Sequence, residues 1–598
     1  MCGIMGYVGT DNGPRIVLKG LEKLEYRGYD SAGIAFEISN KFSIIKTIGS
    51  PANLKEKINT AASHLCIGHT RWATHGEASE TNAHPHTSSD GMFAIVHNGI
   101  IENYEQLKNE LINSGKAFKS QTDSEVIAHL LEANYHGDFK GAVTATLSQL
   151  KGSYALGIIC SDYPDTIICA KKSSPLFVGT SDSGSFLSSD VSALADNAER
   201  VFRINDYEIG IIKKDDFKVY DFDGCRIRKT EISVKKEEYC EDKLNFRHYM
   251  LKEIYEQPAA IQQTINEFIE GNKIRFKALK WSKKDIKDID SVLFIACGSA
   301  YYAGMAGAYA SEAIFRRSSK AEIASEFIYK NPKISKNTLV IIISQSGETA
   351  DTLSALKVAK EKGAKTVSIV NVENSTIAIE SDNVAFTKAG KEIAVATTKA
   401  YTAQLAVIYS LVIYLSVLAE ELDKKTALKY IEELKSIPQK VSELLNNAEA
   451  YSKASDMIIN KKFTCFIGRN NDYCAAAEGA LKLKEVSYIP CEAYPAGELK
   501  HGTISLIDTG SVVIALDCSD RLRDKITNNI NEIKARCGTV IRISTDKENS
   551  DITIPETLEL FTPLLTAIPL QLIAYFTAAK KGCSIDKPRN LAKSVTVE

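Results

Sequence analysis

The chain begins Met1-Cys2-Gly3-Ile4-Met5-Gly6. Loss of one residue would give Cys2 a free α-amine, which titrates near neutrality, at about pKa 7.7–8.0 in unstructured peptides. Such an amine accepts a proton from the thiol beside it, so nucleophile and base would be one residue. Gly3 and Gly6 would let the backbone turn sharply and come close to a substrate. Taken alone, Cys2 is equally an arbitrary second residue. Four polar clusters further along give it company. The first is Tyr26-Arg27-Gly28-Tyr29-Asp30-Ser31-Ala32-Gly33. The second is His69-Thr70-Arg71-Trp72-Ala73-Thr74-His75-Gly76, followed by Asn82-Ala83-His84-Pro85-His86. The others are His97-Asn98-Gly99 and Gln121-Thr122-Asp123-Ser124-Glu125.

An amidase acting on glutamine needs a cation for the α-carboxylate, a carboxylate for the α-ammonium and donors for a tetrahedral oxyanion. Arg71 suits the first through its bidentate fork, and Asp123 suits the second. The Asn98 amide and the Gly99 N–H suit the third, since a glycine lets the backbone approach. His69, His75, His84, His86 and His97 also raise a metal site. No His-x-x-x-His pair lies on a helical pattern and no carboxylate completes a ligand set. They read as hydrogen-bonded loop scaffolding, and no metal is expected.

These clusters have to be held at strand ends. Short β-rich runs occupy residues 4–8, 31–36, 42–48, 66–70, 93–98 and 154–160. Helical patterns cover 14–25, with Leu18, Leu21 and Leu24 on one face, and 102–114, with Tyr104, Leu107 and Leu111. Strands mixed with segregated helices predict a layered α+β domain. Cys2-Gly3-Ile4, the Arg71-Trp72-Ala73-Thr74-His75-Gly76 run, His97-Asn98-Gly99 and Asp123 resemble the class II, N-terminal-nucleophile glutamine amidotransferases. The resemblance implies removal of Met1, attack of Cys2 on the glutamine amide, and release of glutamate and ammonia by way of a glutamyl thioester. It implies a four-layer α-β-β-α sandwich, with Asn98 and Gly99 at the oxyanion and Arg71, Trp72, Thr74, His75 and Asp123 holding glutamine. Several amidotransferases share this half, so it identifies the nitrogen donor and leaves the acceptor open.

Residues 213–242 are charge-dense and read as last strands followed by an exposed connection. A helical pattern starts at Phe246 and is expected to stop at Pro258. The remainder shows a weak internal repeat. A buried-strand run at 291–296 ends in Cys297-Gly298 and opens a small-residue helix over 302–313. A run at 463–467 ends in Gly468-Arg469 and opens another over 474–486. Second strands follow at 339–344 and 511–516, and third strands at 366–371 and 539–544. Alternating strands and helices predict βαβ units and two parallel sheets. Ligands in such sheets sit beyond the carboxyl ends of strands. Ser344-Gln345-Ser346-Gly347-Glu348-Thr349 falls there, ahead of a helix over 350–360. Small hydroxyls, a glycine and a helix N-terminus make a phosphate cradle. Taken alone, the same loop is as readily an ordinary capped turn, and it lacks the Gly-Lys-Ser/Thr of a nucleotide-binding loop.

The repeat, the 344–349 loop, Cys297-Gly298-Ser299 and Ala394-Val395-Ala396-Thr397-Thr398-Lys399 resemble paired sugar isomerase (SIS) domains that bind phosphosugars. Joined to the N-terminal half, the whole chain resembles the isomerizing glutamine–fructose-6-phosphate aminotransferases. Its ending, Pro588-Arg589-Asn590-Leu591-Ala592-Lys593-Ser594-Val595-Thr596-Val597-Glu598, is the most specific signature. Glu478, Lys482 and Glu485 share a helical face, which on spacing alone would be a solvated charged face. The resemblance instead makes Glu485 the base that shuttles a proton between C1 and C2 of the sugar, with Lys482 assisting at the hydroxyls. It makes Lys593 the Schiff-base amine, a role suited to a desolvated lysine. It makes His501 the ring-opening group, reaching in from the second subunit of a homodimer. Sugar and phosphate binding would fall to Cys297, Gly298, Ser299, Ser344, Gln345, Ser346, Thr349 and Ala592. No cofactor is implied. Ala300 stands where the family usually has serine, and Thr503 where a proline usually follows His-Gly.

The expected domains are 1–239, the glutaminase; 240–285, a linker with leading helices; 286–440 and 453–588, two doubly wound parallel-sheet domains; and 589–598, a catalytic tail. Trp72, directly after Arg71, is expected to gate ammonia passing between the two half-reactions. Packing in the core is the simpler alternative for so large a ring. The 598 residues carry 44% hydrophobic and 25% charged residues and a formal charge of −2, which gives no reason to expect nucleic acid or an anionic membrane as partner. Thirteen cysteines without metal-ligand spacing, and no leader or membrane-spanning run, point to a cytoplasmic protein with reduced thiols. Rival acceptors fare worse. No acidic pair follows a strand to hold a metal-bound pyrophosphate, and no Ser-Gly-Gly pyrophosphatase loop occurs. A mere sugar-phosphate sensor would not need Cys2, Glu485, His501 and Lys593.

Overall fold

The computed structural model describes residues 2–59, 61–73, 75–232, 234 and 243–596. It divides into two compact units, residues 1–241 with 594–598, and residues 242–593.

The first unit is built on two antiparallel sheets, one of eight strands and one of seven. Strand Gly3–Gly9 lies inside the larger sheet, between Gly184–Ser188 and Leu65–Arg71. Its side chains alternate as a strand buried on both faces requires. Ile4 and Val8 enter a core with Ala94, Val96 and Ile159 of the smaller sheet. Met5 and Tyr7 face the other way, against Val17 and Leu21 of helix Gly13–Lys23. The smaller sheet turns Phe93, Ile95, Leu156 and Ile158 outward onto helices Tyr104–Asn113, Glu125–Asn134 and Phe139–Leu147. Helix, sheet, sheet and helix layers follow one another, the α-β-β-α sandwich that the resemblance implies. In the charge-dense stretch the last strands are Phe217–Asp221, Arg226–Ile227 and Glu231–Ile232; most of the connection after them, residues 233 and 235–242, lies outside the described residues.

The second unit holds two parallel five-stranded sheets of identical order. The first runs Ser318–Ile323, Ser291–Ala296, Thr338–Ser344, Lys365–Val370, Val384–Phe386. The second runs Cys491–Pro495, Phe463–Gly468, Ser511–Asp517, Thr539–Ser544, Ile552–Thr553. Three strands of each match the periodicity. The two outer strands of each sheet are too short or too polar to announce themselves: Val384–Phe386 has three residues, and Ser318–Ile323 has no buried residue and includes Lys320 and Glu322. Pro258 does not simply stop a helix. Tyr249–Tyr255 ends before it, and Pro258 sits in the first turn of a new helix, Gln257–Phe268, where its missing N–H costs nothing. The apolar run around 405–418 is part of helix Lys399–Leu418. It and helix 559–580 are long and apolar enough to cross a membrane, yet the apolar windows of the two are 83% and 94% buried inside the fold.

Candidate active site

In the first unit the chemistry gathers at the end of strand Gly3–Gly9. The Cys2 thiol lies against the Trp72 backbone, accepting its N–H at 3.3 Å and donating to its carbonyl at 3.6 Å. The Cys2 carbonyl accepts from Asn98 Nδ2 at 3.0 Å and Arg27 Nε at 3.3 Å. Arg27 is anchored in turn by Asp190 at 2.9 Å, which also takes the Tyr26 hydroxyl at 2.7 Å. Burial pushes the Cys2 thiol up, against the pull of the Trp72 N–H and of Arg71. A thiol held above its ordinary range does not ionise unaided at neutral pH, so attack by Cys2 calls for an adjacent base.

Asn98 and Gly99 close strand Phe93–Ile101 beside Cys2. Gly99 has φ +144, and a Cβ there would stand 2.1 Å from the Ser153 carbonyl oxygen, so only glycine fits. Asp123 is 4% exposed and accepts the Ile101 N–H at 2.8 Å. Arg71 is 3% exposed, and its guanidinium donates to the carbonyls of His75, Gly76 (3.0 Å) and Glu77 (3.1 Å), folding the loop after its strand back on itself. Trp72 is half-buried, edge-on to Tyr29 at 6.0 Å, and His75 lies edge-on to Tyr104 at 5.4 Å. Thr74 lies outside the described residues. The histidines form a packed series: His69 stacks on His84 at 4.1 Å, with His86 at 4.5 Å and His97 at 6.5 Å from His84. Burial lowers all four, His69 to about 3. They are neutral at physiological pH.

The second unit brings its two halves together at one centre. Cys297 caps helix Gly298–Ala310 at the end of strand Ser291–Ala296, and Gly298 takes φ +56. One residue on, Ser299 donates to Glu478 Oε1 at 3.0 Å, on helix Asn471–Ser487 of the other half. Lys482 lies 3.6 Å from Glu478 and 2.5 Å from Glu485. The side chains of Lys482, Glu478 and Glu485 are 1%, 2% and 19% exposed, so this is no solvated face. Helix Thr562–Lys580 packs against the neighbouring side of the same helix, so tightly that a Cβ on Gly479 would stand 2.9 Å from Leu570. Burial, with the Glu485 charge, lifts Glu478 to about 7. Burial pulls Lys482 down, but Glu478 and Glu485 outweigh it and hold the ammonium above its ordinary value.

Lys593 is paired with Glu392, both nearly inaccessible. Glu392 also accepts the Thr398 and Ala400 N–H groups at 2.9 and 3.0 Å, at the start of helix Lys399–Leu418. Burial alone would raise Glu392; Lys593 and these N–H groups bring it below the usual carboxylate range. Glu253 grips the same loop through the Ile393 and Ala394 N–H groups at 2.5 and 3.2 Å, and burial, then Glu392, push it up to about 8. The Glu392 charge also reaches Lys482, which ties Lys593 electrically to the Glu478–Glu485 group. Sequence reading missed Glu392 and Glu253. The one available signal was the position of Glu392 just before the 394–399 motif.

The 344–349 loop is a folded cradle. Ser344 Oγ accepts the Gly347 N–H at 3.0 Å and lies 3.0 Å from Thr349 Oγ1, and Ser346 Oγ accepts the Glu348 N–H at 3.1 Å. Gly347 has φ +66, and a Cβ would clash with Ser375 Oγ at 2.0 Å. The Gln345 carbonyl accepts the Asn371 N–H at 3.2 Å. Thr349 begins helix Ala350–Glu361 without capping it through its side chain. Ala592 is half-buried and Ala300 packs against the core. His501 stands apart, exposed on the short turn Glu498–His501, with Gly502 at φ +158 and Thr503 beginning the next turn.

Known proteins resemble this chain along its whole length. The SIS domain family matches residues 285–414 and 457–579, and the glutamine amidotransferase domain family matches 69–196. The chain is 46% identical to the glutamine–fructose-6-phosphate aminotransferase [isomerizing] of Caldanaerobacter subterraneus subsp. tengcongensis, over 100% of both chains. It is 45% identical to the Clostridium tetani protein of the same name, again over 100% of both. The C-terminal domain of glucosamine-fructose-6-phosphate aminotransferase from Francisella tularensis matches 58% of this chain and 100% of its own, at 38% identity and a TM-score of 0.56.

Proposed function

This chain belongs to the family of isomerizing glutamine–fructose-6-phosphate aminotransferases, and from that premise we propose how its residues divide the reaction. The enzyme converts D-fructose 6-phosphate and L-glutamine to D-glucosamine 6-phosphate and L-glutamate, the first step of amino-sugar biosynthesis. Residues 1–239 hydrolyse glutamine; 286–440 and 453–588 hold the sugar; 240–285 connect them, and 589–598 form the catalytic tail.

Once Met1 is gone, the Cys2 α-amine takes the thiol proton and the sulfur adds to the glutamine amide carbon. Asn98 Nδ2 and the Gly99 N–H hold the oxyanion. Collapse expels ammonia, which carries off a proton from the α-ammonium, and water hydrolyses the thioester to glutamate. Arg71, Trp72, Thr74, His75 and Asp123 hold the amino-acid end, Asp123 through its buried carboxylate. In the sugar unit, the 344–349 cradle with Cys297, Gly298 and Ser299 binds phosphate and hydroxyls. His501, supplied across a homodimer, opens the ring; its exposed place on the chain suits that role. Lys593, as the free amine, adds to the C2 carbonyl and loses water to give an imine; ammonia then adds at C2 and releases the Lys593 amine, while Glu392 holds the lysine in place. Glu485 then carries a proton from C1 to C2, with Lys482 steadying the developing charge. The described cysteines are all free thiols, in keeping with a cytoplasmic setting.

The observation that carries this reading is the burial of Lys482 and Lys593 among carboxylates, at 1% and 4% side-chain exposure. Two full-length variants test it. Cys2→Ala should lose glutamine hydrolysis and keep interconversion of fructose 6-phosphate and glucose 6-phosphate. Glu485→Gln should do the reverse. Interconversion that survives Glu485→Gln removes that residue from the proton shuttle.

A further inference from the structure

His69 Nε2 lies 2.9 Å from the His97 carbonyl oxygen and 3.0 Å from Asn98 Oδ1. A backbone carbonyl can only accept, so Nε2 must carry the proton. The Asn98 atom facing it must then be the oxygen, which turns the amide nitrogen to the other side. That side is Cys2, whose carbonyl receives Asn98 Nδ2 at 3.0 Å. An amide nitrogen has two hydrogens, and the second is left for the oxyanion. The orientation of the Asn98 amide is thus decided twice, by two carbonyls that cannot donate.

We infer that His69 is the positioning residue of the oxyanion hole: its Nε2–H fixes the Asn98 amide with nitrogen toward the reacting carbon. His69 touches no substrate; it acts through Asn98. Three further observations fit. His69 is 0% exposed and stacked on His84, so its ring cannot swing. Its Nδ1 is buried without a hydrogen-bond partner, the arrangement of a neutral ring protonated only at Nε2. The His97 carbonyl that sets the tautomer belongs to the residue just before Asn98, so histidine and amide move as one piece. Without the Nε2–H, only the Cys2 carbonyl would oppose a flipped amide, whose oxygen would face the developing oxyanion and repel it.

The inference rests on the glutaminase reading above, and the experiment separates the two. In a glutamine side chain the terminal amide nitrogen overlays His Nε2, while in asparagine it overlays Nδ1. His69→Gln should therefore keep the donor and glutamine hydrolysis close to wild type. His69→Asn should lower kcat toward the loss of about 10²–10³ that follows removal of one oxyanion donor, with KM for glutamine little changed. L-Glutamate γ-semialdehyde, whose carbonyl Cys2 can convert to a tetrahedral adduct, should lose affinity by the same factor. L-Glutamate, which forms no oxyanion, should bind as before; this also certifies that the variant is folded. In an Asn98→Ala background, His69→Asn should cost nothing more. Equal weakening of semialdehyde and glutamate, additive losses in the double variant, or a His69→Gln enzyme as poor as His69→Asn would overturn the inference. Hydrolysis surviving in Cys2→Ala would instead overturn the reading beneath it.

Discussion

Gly99→Ala puts the oxyanion hole under direct strain. Gly99 pairs with Tyr154 at φ +144, a sparsely populated backbone region that costs an L-residue about 1–3 kcal/mol. The new Cβ would meet Ser153 O at 2.1 Å and His97 Nε2 at 2.8 Å. Ordinary non-bonded contacts lie at about 3.5–4.0 Å, so strand Phe93–Ile101 must part from its neighbour by well over 1 Å, roughly 1.4–1.9 Å. Asn98 and the Gly99 N–H travel with it. A misplacement of about 1 Å costs about 10²-fold in rate, and outright loss of a donor about 2.7–4 kcal/mol. The assay is glutamate release from glutamine with fructose 6-phosphate present, and fructose 6-phosphate–glucose 6-phosphate interconversion serves as control for the second unit. We expect kcat for hydrolysis to fall about 10²-fold, with KM nearly unchanged and interconversion intact. Wild-type kcat, or a loss confined to KM, would refute the placement of Gly99 at the oxyanion.

Three further outcomes follow from the second unit and from Trp72. Glu392→Gln strands the Lys593 ammonium in a site where both side chains are at most 4% exposed; unfolding should become easier by about 3–5 kcal/mol, and adding Lys593→Met should restore most of it. If the double variant is no more stable than the single one, the pair is not what holds the tail. Glu253 has a folded pKa of about 8 against an ordinary 4.5, so the fold keeps a proton that the unfolded chain releases, and stability drains away as pH rises through that window. Glu253→Gln removes this contribution, so its thermal-melting advantage over wild type should grow between about pH 5 and about pH 8; an advantage that shrinks with pH would reverse the sign of the argument. Trp72→Ala should still make glutamate while glucosamine 6-phosphate formed per glutamate falls well below one; equal amounts of both would exclude a gate at this residue.

The sequence by itself determined the local pieces. Continuous apolar runs announced strands Ser291–Ala296, Phe463–Gly468 and Ser511–Asp517, because a strand buried on both faces has no polar side to show. The glycine-bearing 344–349 turn and the polar clusters at 69–76 and 97–99 were legible for the same reason: a turn or a site residue is written in its own neighbours. Tertiary structure decided what the face of helix Asn471–Ser487 is for. Glu478, Lys482 and Glu485 have the spacing of a solvated stripe, and only the burial that folding imposes, with Ser299 brought in from 179 residues away, makes it an interior charge chain. Glu253, Glu392 and Lys593 are an extreme case. No spacing relates carboxylates and an amine drawn from 139 and 201 residues apart, and their charge states depend on burial that each alone does not encode. The histidines show the same division in one motif. Their presence was plain from the chain, but which nitrogen of His69 holds its proton was settled by a carbonyl that folding placed 2.9 Å away. Periodicity is a property of neighbours in sequence, whereas desolvation and charge pairing are properties of neighbours in space.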